Sequence, residues 1–370
     1  AVLALAVGVV AVTYQLRTGI GTWGLNRSVG WAYDITNFVF WIGVGHAGTL
    51  ISAILLLFRQ RWRAGVSRAA ETMTIIAIVC AAIFPVIHLG RPWLMLWVLP
   101  LPNARGPLWV NFSSPLTWDV FAILTYFVVS LLFWYLGLLP DFASLSHAAT
   151  GWRRRVFGLL SLGWNGSLRT WVLYERTCLL LAGLATALVI SVHSVVSFDF
   201  AASLVPGWHT TIFPPYFVVG AIFSGMAMVL ALLVVMRRAM ALQSYVTLQQ
   251  LDAMCKIMLA TSGLLGLAYL IETLTALYGN HGPDRFMLML RMQGPLAAYY
   301  WAMIACNVLV PQLLWSGRVR RNLPLVFAIA LLALAGMWLE RFLIIVGSLQ
   351  RDFLPSSWVE YLPTRVEVAT

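Results

Sequence analysis

Three groups that can exchange protons stand near the ends of apolar stretches, at what would be one depth. His88 ends one stretch, Asp119 opens the next, and Asp199 closes a later one with His193 shortly before it. A histidine can accept a hydroxyl hydrogen bond and a nearby carboxylate can take the proton, which is the chemistry that quinol oxidation needs. The sequence therefore suggests a quinol pocket with His88, Asp119 and Asp199 as catalytic residues and His193 beside them.

A plainer interpretation of the same residues is open. His88 and Asp119 can cap helix ends among hydrated lipid headgroups, where polar side chains are tolerated. The pocket requires that the two helices carrying them be antiparallel neighbours, because only then can the two side chains approach each other. It also requires apolar or aromatic walls that hold the ring of the substrate.

His46 lies deeper, within the run from Gly43 to Thr49, where small residues permit close approach of helices. A histidine that is hydrogen-bonded in a tight helix interface is the plainer interpretation. The alternatives are a member of a proton relay and a haem ligand. Haem is the weaker of these, because a b-type cytochrome needs paired histidines at matched depth. The sequence predicts His88 and His193 near the outer boundary and His46 near the middle.

Charged residues inside the apolar stretches are few. Glu175 lies near one end of its stretch, and Glu272 is predicted at about the depth of Glu340 and Arg341. Because a lone charge at that depth is unfavourable, pairing of glutamate with arginine is the plainer interpretation. The alternative is a proton path that includes His46, Glu175, Glu272, Glu340 and Arg341.

The elements that must carry these residues are membrane helices. Hydrophobic residues make up 61% of the 370 and charged residues only 10%, so the chain needs lipid as its solvent. A helix that crosses the hydrocarbon core takes about 20 apolar residues. The composition therefore predicts an all-α integral membrane protein, and we expect its first helix to be a truncated span. Nine stretches qualify: 1–16, 35–58, 71–89, 117–138, 173–198, 213–236, 254–278, 296–314 and 322–347.

Arginines are distributed unevenly between the loops. The loops after the second, fourth, sixth and eighth stretches are rich in arginine, and the opposite loops are poor in it. Because Lys and Arg are retained on the cytoplasmic side, the sequence predicts that the first helix runs outward and that His88 lies near the outer face. The net charge of +11 is then a topology signal and a source of affinity for anionic lipids, not evidence for nucleic acid. Residues 141–165 are predicted to form an amphipathic helix on the inner surface.

Two outer loops are rich in tryptophan and proline. An interfacial aromatic belt is the plainer interpretation, and a docking platform for an external subunit is the alternative. The cysteines, Cys80, Cys178, Cys255 and Cys306, have no CxxC or Cys/His ligand spacing, so we expect no disulfide and no metal site in this chain. The loop residues in question are Trp93, Trp97, Pro100, Pro102, Pro107, Trp109, Pro206, Trp208, Pro214, Pro215 and Tyr216.

Several long runs resemble one known family. They resemble the NrfD/polysulfide-reductase membrane subunits and, within that family, the C-subunit type of alternative complex III. Together the runs cover most of the chain. They are Trp31 to Ser52, Phe58 to Arg63, His88-Leu89-Gly90-Arg91-Pro92-Trp93, Ser197-Phe198-Asp199-Phe200, Pro206-Gly207-Trp208-His209, Phe213-Pro214-Pro215-Tyr216-Phe217 and Glu340-Arg341-Phe342-Leu343-Ile344-Ile345.

The resemblance implies a subunit that oxidises menaquinol or ubiquinol and holds no haem or iron–sulfur cluster of its own. The family's quinol site corresponds here to His88 and Asp119, with Asp199 on a third wall, and we add Arg91. Electrons would pass to an adjacent iron–sulfur subunit and then to multihaem and monohaem cytochrome c subunits. A homologous NrfD-like membrane subunit and small membrane subunits are further expected partners. We expect the bacterial inner membrane, a quinol site near the periplasmic side, and proton translocation as a hypothesis.

The resemblance also implies how the chain is divided. Residues 1–34 would form the first helix and an outer loop, 35–198 a four-helix bundle with the quinol site, 199–347 a second four-helix bundle, and 348–370 a C-terminal segment. The family's further helix, after the Pro363 region, is not among these 370 residues. A quinone-reactive anchor of a polysulfide or molybdopterin-type reductase, a non-redox proton transporter, a structural anchor and a membrane cytochrome b remain alternatives.

Overall fold

The computed structural model describes residues 2–98, 114–351 and 353–370, and every regular element in these ranges is a helix. Eight helices in these ranges are long and apolar enough to cross a membrane, and the N-terminal helix is shorter. The predicted all-α membrane class is therefore confirmed. The helices are α1 (Val2–Thr18), α2 (Tyr33–Leu57), α3 (Ser67–His88), α4 (Pro115–Ala148), α5 (Gly151–Leu160), α6 (Leu168–Ala201), α7 (Phe213–Ala239), α8 (Leu248–Tyr278), α9 (Gly282–Gln293), α10 (Ala297–Ile304), α11 (Gly317–Arg321), α12 (Leu323–Leu349) and α13 (Arg365–Ala369).

The span that begins with α10 is irregular. It continues as a π-helical turn, Ala305–Leu309, and then as a 3-10 turn, Val310–Trp315. Pro311 lies in the 3-10 turn and lacks the N–H that a regular helix needs, so the change of winding has a local cause. π-helical turns occur frequently at functional sites, and this one carries Asn307 into the core.

The predicted amphipathic segment 141–165 is divided differently in the structure. α4 continues to Ala148, so the first part of this segment belongs to the end of a 34-residue helix. The chain then turns at Gly151, whose φ of 63° favours glycine, and α5 follows. The surface helix is therefore shorter than predicted.

α2 is the most enclosed of the spanning helices and packs against α3, α6, α7 and α12. Its glycines bring backbones together. A Cβ added at Gly48 would lie 2.3 Å from the Ala70 carbonyl oxygen of α3. One added at Gly225 of α7 would lie 1.9 Å from the Cβ of Ala47. The predicted role of the small residues around His46, close approach of helices, is confirmed.

We name two sets of helices by their packing. The first helix group is α2, α3, α4 and α6, and the second is α7, α8, α10 and α12. Contacts of α7 with α2 and α6, and of α12 with α2, join the groups. The helix ends define an arginine-rich face and an arginine-poor face at the opposite ends. The arginine-rich face carries the arginines that follow α2, those of α5 and α11, and Arg237 and Arg238 at the end of α7.

The C-terminal segment folds back on the loop that precedes α2. The N–H of Gly24 donates to Glu367 Oε2 at 3.0 Å, and the Thr364 hydroxyl donates to the Thr22 carbonyl at 2.8 Å. The Tyr361 hydroxyl donates to the other oxygen of Glu367. Burial raises the pKa of Tyr361, so this phenol remains a donor. These contacts fix the chain immediately before α2.

The two aromatic loops do not form a uniform interfacial belt. Trp93 is 67% exposed, whereas Trp208 is 4% and Tyr216 is 3% exposed. The Trp208 indole donates to the Ile344 carbonyl of α12. The belt interpretation is therefore wrong for Trp208 and Tyr216. Trp208 packs in the core because the loop after α6 turns inward, and Tyr216 packs there because it lies in the first turn of α7. Pro100, Pro102, Pro107 and Trp109 lie outside the described residues.

Candidate functional site

Asp119 and Asp199 meet at the arginine-poor end of the first helix group, where α4 packs on α6. Their carboxyl groups lie close enough to interact directly, and we call them the carboxyl pair. Two carboxylates offer only acceptors, so a hydrogen bond between them would need a proton on one of them. Oδ1 of each residue is buried and has no hydrogen-bond partner among the described residues. The pair can therefore accept further hydrogen bonds.

His88 ends α3 at the same face, and α3 packs against α4. Its Nδ1 is hydrogen-bonded to Oδ2 of Asp34, in the first turn of α2. The Asp34 side chain is 2% exposed and that of His88 is 22% exposed. The imidazole is thus partnered by Asp34, and an approach of His88 to Asp119 remains a prediction.

Aromatic rings pack together at the end of α6 that carries Asp199. Phe200 follows Asp199 directly and meets Trp208 edge to face, with ring centroids 4.9 Å apart. Trp31, from the loop before α2, stacks on Trp208 with centroids 5.8 Å apart. Flat apolar surfaces of this kind can hold an aromatic or quinoid ring.

His46 and His193 meet in the middle of the first helix group. Their ring centroids are 4.4 Å apart in an edge-to-face arrangement, and Tyr126 packs 4.1 Å from the His46 ring. The predicted difference in depth is wrong, because α6 runs on to Ala201 and places His193 about 12 Å before that end. Direct contact of the imidazoles leaves no space for a porphyrin between them. Neither nitrogen of His46 has a side-chain hydrogen-bond partner in the described chain.

Glu272 pairs with Arg291 in the second helix group. Nη1 of Arg291 lies 3.0 Å from Glu272 Oε1, and Nη2 donates to the Ser348 hydroxyl at 2.9 Å. Arg291 is 6% exposed, although the sequence suggested a loop arginine. The expected glutamate–arginine pairing is present, but the arginine comes from α9.

Glu340 and Arg341 form a second, deeper pair, with Arg341 Nη1 3.2 Å from Glu340 Oε1. The Tyr269 hydroxyl donates to the other oxygen of Glu340, and Asn307 donates to Tyr269 at 2.8 Å. Arg341 also lies over the ring of Phe217, 4.0 Å from its centroid. This network is buried and links α8, α12 and the π-helical turn.

Two cavities open beside the Glu272–Arg291 pair. One, of about 20 Å³, reaches Glu340. The other, of about 60 Å³, is lined also by His209 and Asp284 towards the arginine-poor face. A polar cavity of about 10–15 Å³ can hold one water, so both are large enough for water. They lie in the second helix group and not at the carboxyl pair.

Glu71 is buried near the arginine-rich end of the first helix group, 3% exposed. The Ser52 hydroxyl donates to its Oε1, and Arg68 Nη1 lies 4.0 Å from its Oε2. Arg68 also pairs with Asp141 at 3.1 Å. This group of residues connects the interior with the arginine-rich face.

The remaining predicted site residues are exposed. Arg91 follows α3 at the arginine-poor face, and Glu175 lies on an exposed side of α6 near its arginine-rich end. No cluster of three or more His, Cys, Asp or Glu within the described ranges could hold a metal ion.

Sequence reasoning missed Asp34, Glu71 and Arg291. Asp34 stands one residue before a predicted span. An acidic side chain is common at such a position, because it interacts favourably with the helix dipole. Glu71 opens a predicted span in the same way. Arg291 reads as a loop residue, because the sequence does not show that α9 lies against α8 and α12.

Comparison with known proteins gives a family and a relative. The family described as "Polysulphide reductase, NrfD" matches residues 22–351. A relative from Halobacterium salinarum, described as a putative membrane subunit of dimethyl sulfoxide reductase, is 25% identical over 391 aligned positions, covering 99% of this chain and 84% of the relative.

Proposed function

The chain belongs to the NrfD family of polysulphide reductase membrane subunits, and from this premise we propose that it binds and oxidises a quinol within a redox complex. The carboxyl pair carries the proposal: two neighbouring acids, each with an unpartnered buried oxygen, at one end of the first helix group. A quinol presents two hydroxyl donors, so acceptor oxygens suit it. The aromatic rings of Trp31, Phe200 and Trp208 suit its flat ring.

Oxidation of a quinol releases two electrons and two protons. In this proposal one hydroxyl proton passes to Nε2 of His88, and the other passes to an Oδ1 of the carboxyl pair. The electrons leave to an iron–sulfur cluster of a partner subunit. Asp34 balances the charge that His88 gains, and Arg91 stands at the entrance. Because arginine-rich loops are retained inside, the protons leave on the outer side of the cell membrane.

Two kinds of complex fit this subunit. In alternative complex III the electrons would continue to c-type haems. In a polysulfide or dimethyl sulfoxide type of reductase they would continue to a molybdopterin subunit, and the description of the relative supports this second kind at least as well. Purification of the intact complex through a tag on this chain, with haem c spectra and molybdenum analysis, decides between them. A complex with neither group would contradict both assignments.

The quinol proposal is tested with Asp119→Asn and Asp199→Asn in the purified complex. Wild type should oxidise a menaquinol or ubiquinol analogue, and each variant should lose at least about 100-fold in rate, because an amide cannot take the proton. Asp252→Asn is the matched control, since Asp252 pairs with Arg320 and Lys256 at the arginine-rich face. Full activity of Asp119→Asn in an assembled complex would overturn the proposal.

A second candidate function is proton conduction through the interior. Groups of polar side chains at successive depths of the first helix group, which we call polar layers, support it. Ser52 and Glu71 form the layer near the arginine-rich face. Further along α2, the Tyr126 hydroxyl donates to the backbone carbonyl oxygen of His46 at 3.2 Å. Tyr126 in turn packs on His46, which packs on His193. We propose that this series carries protons from the inner side towards the carboxyl pair.

We propose an outer branch in the second helix group. Arg341 lies over the ring of Phe217 in α7, and α7 packs against α6, the helix of His193. From there Glu340 and Glu272 lead through the two cavities towards the arginine-poor face. Glu175 is outside this path, because its exposed side of α6 is not directed at any of the layers.

The conduction proposal is tested in proteoliposomes that contain a pH dye and carry the complex with its arginine-rich face towards the interior. Quinol oxidation should make the interior alkaline in wild type, and Glu71→Gln should abolish this change while quinol oxidation persists. Glu175→Gln is the matched control and should behave as wild type. An unchanged internal response in Glu71→Gln would contradict this path, and an absent response in wild type would remove proton conduction altogether.

A further inference from the structure

We propose that Asp34 is the positioning residue of His88 and determines which imidazole nitrogen accepts the quinol proton. This inference rests on the proposed quinol oxidation and adds a residue from α2, a helix to which neither the sequence runs nor the comparisons assign a part in that site.

The geometry of Asp34 fixes the tautomer of His88. A carboxylate only accepts hydrogen bonds, so Nδ1 of His88 must carry the hydrogen in its contact with Asp34 Oδ2. A neutral imidazole with Nδ1–H has its lone pair on Nε2. Nε2 is therefore the acceptor that remains for a quinol hydroxyl.

Asp34 is itself held in place. Its other oxygen accepts the Ala32 N–H at 3.2 Å, and its side chain is almost completely buried. The first turn of α2 favours a carboxylate, because the helix dipole is positive at that end. The neighbouring Tyr33 ring stacks on Trp338 of α12, with centroids 5.3 Å apart. The carboxylate thus has one direction in which to accept from an imidazole.

This arrangement has a consequence for the proton transfer. As a quinol O–H bond breaks, an Nε2–H bond forms on His88, and the electrons leave to the iron–sulfur cluster of the partner subunit. The imidazolium that results lies against the Asp34 carboxylate, which stabilises it without taking the proton. Asp34 therefore acts on the rate of transfer and not on binding of the quinol.

Removal of the carboxylate has a defined effect. In Asp34→Asn the amide can donate to Nδ1, which moves the hydrogen to Nε2 and turns the acceptor away from the substrate. An orienting carboxylate replaced by an amide is known to produce the wrong tautomer with little change in geometry. We expect kcat for quinol oxidation to fall about 100-fold with KM little changed.

A double-mutant cycle separates positioning from a structural role. If Asp34 acts through His88, Asp34→Asn should add no further loss in kcat to His88→Ala. A structural role would instead give losses that multiply. Asp34→Glu keeps an acceptor for Nδ1 and should recover much of kcat. Asp252→Asn is the control and should keep the wild-type kcat, because Asp252 pairs with Lys256 and Arg320 at the opposite, arginine-rich face.

The outcomes are distinguishable in the intact purified complex. Absence of quinol oxidation in wild type would defeat the proposed function itself. Normal oxidation in wild type, with multiplying losses or with full kcat in Asp34→Asn, would overturn the role of Asp34 alone. Should Asp34→Asn fail to assemble, Asp34→Glu decides: a kcat no better than that of His88→Ala contradicts the inference.

Discussion

The imidazoles of His46 and His193 are in direct contact in the centre of the first helix group, with ring centroids 4.4 Å apart. Three of their ring nitrogens, both of His46 and Nδ1 of His193, are buried without a side-chain hydrogen-bond partner within the described chain. A buried polar group without a partner is unfavourable. The polar atoms of these two histidines are therefore not expected to stabilise the fold.

This contact predicts the effect of His46→Leu on stability. The substitution replaces two buried polar atoms that have no side-chain partner with an apolar side chain, so the thermal stability of the detergent-solubilised complex should be equal to or above that of wild type. A hydrogen-bonded structural histidine would instead lose about 1–3 kcal/mol. A clear fall in the melting temperature would contradict our description of the pair.

The close packing of α2 on α7 predicts the effect of adding one methyl group. Gly225→Ala should lower stability by about 1–3 kcal/mol, because the new Cβ would overlap Ala47 at 1.9 Å. Gly183→Ala is the matched control, since a Cβ there meets no atom within 4 Å. Thermal unfolding should separate the two variants. Equal melting temperatures would show that the helices do not approach so closely.

The sequence was sufficient for the membrane class and for eight of the nine predicted spans, because hydrophobic runs determine which segments need lipid. It also indicated the acids at the arginine-poor ends. It could not show that Asp119 contacts Asp199, because that contact depends on which helices are neighbours. It missed Asp34 and Arg291, because only their partners, His88 and Glu272, show that these two residues are special. Those partners are distant in the sequence.

The ion pair of the second helix group joins a buried Arg291 to a partly exposed Glu272. Arg291→Leu should destabilise the chain by about 2–3 kcal/mol, because Glu272 then loses the charge that compensates it. Lys256→Met is the control, because that lysine side chain is 60% exposed and pairs at the surface. Its loss should be at most about 1 kcal/mol. Similar losses in unfolding assays would mean that Arg291 is more solvated than its position indicates.

The contact between the C-terminal segment and the loop before α2 predicts that a substitution in the loop changes proteolysis of the segment. A Cβ at Gly24 would lie 2.2 Å from the Leu362 carbonyl oxygen, so Gly24→Ala should separate the C-terminal segment from the loop before α2. We expect faster proteolysis of the residues around Tyr361 than in wild type. Gly21→Ala, where a Cβ meets no atom within 4 Å, should leave the cleavage rate unchanged. Equal rates in the two variants would contradict this account of the segment.

The most direct test of the central claim is an experimental structure of the assembled complex with a bound quinone analogue. The account predicts the head group within hydrogen-bonding distance of Asp119 or Asp199, with His88 Nε2 directed at the other oxygen of the analogue. A head group in the cavities beside Glu272 and Arg291, with the carboxyl pair empty, would contradict it.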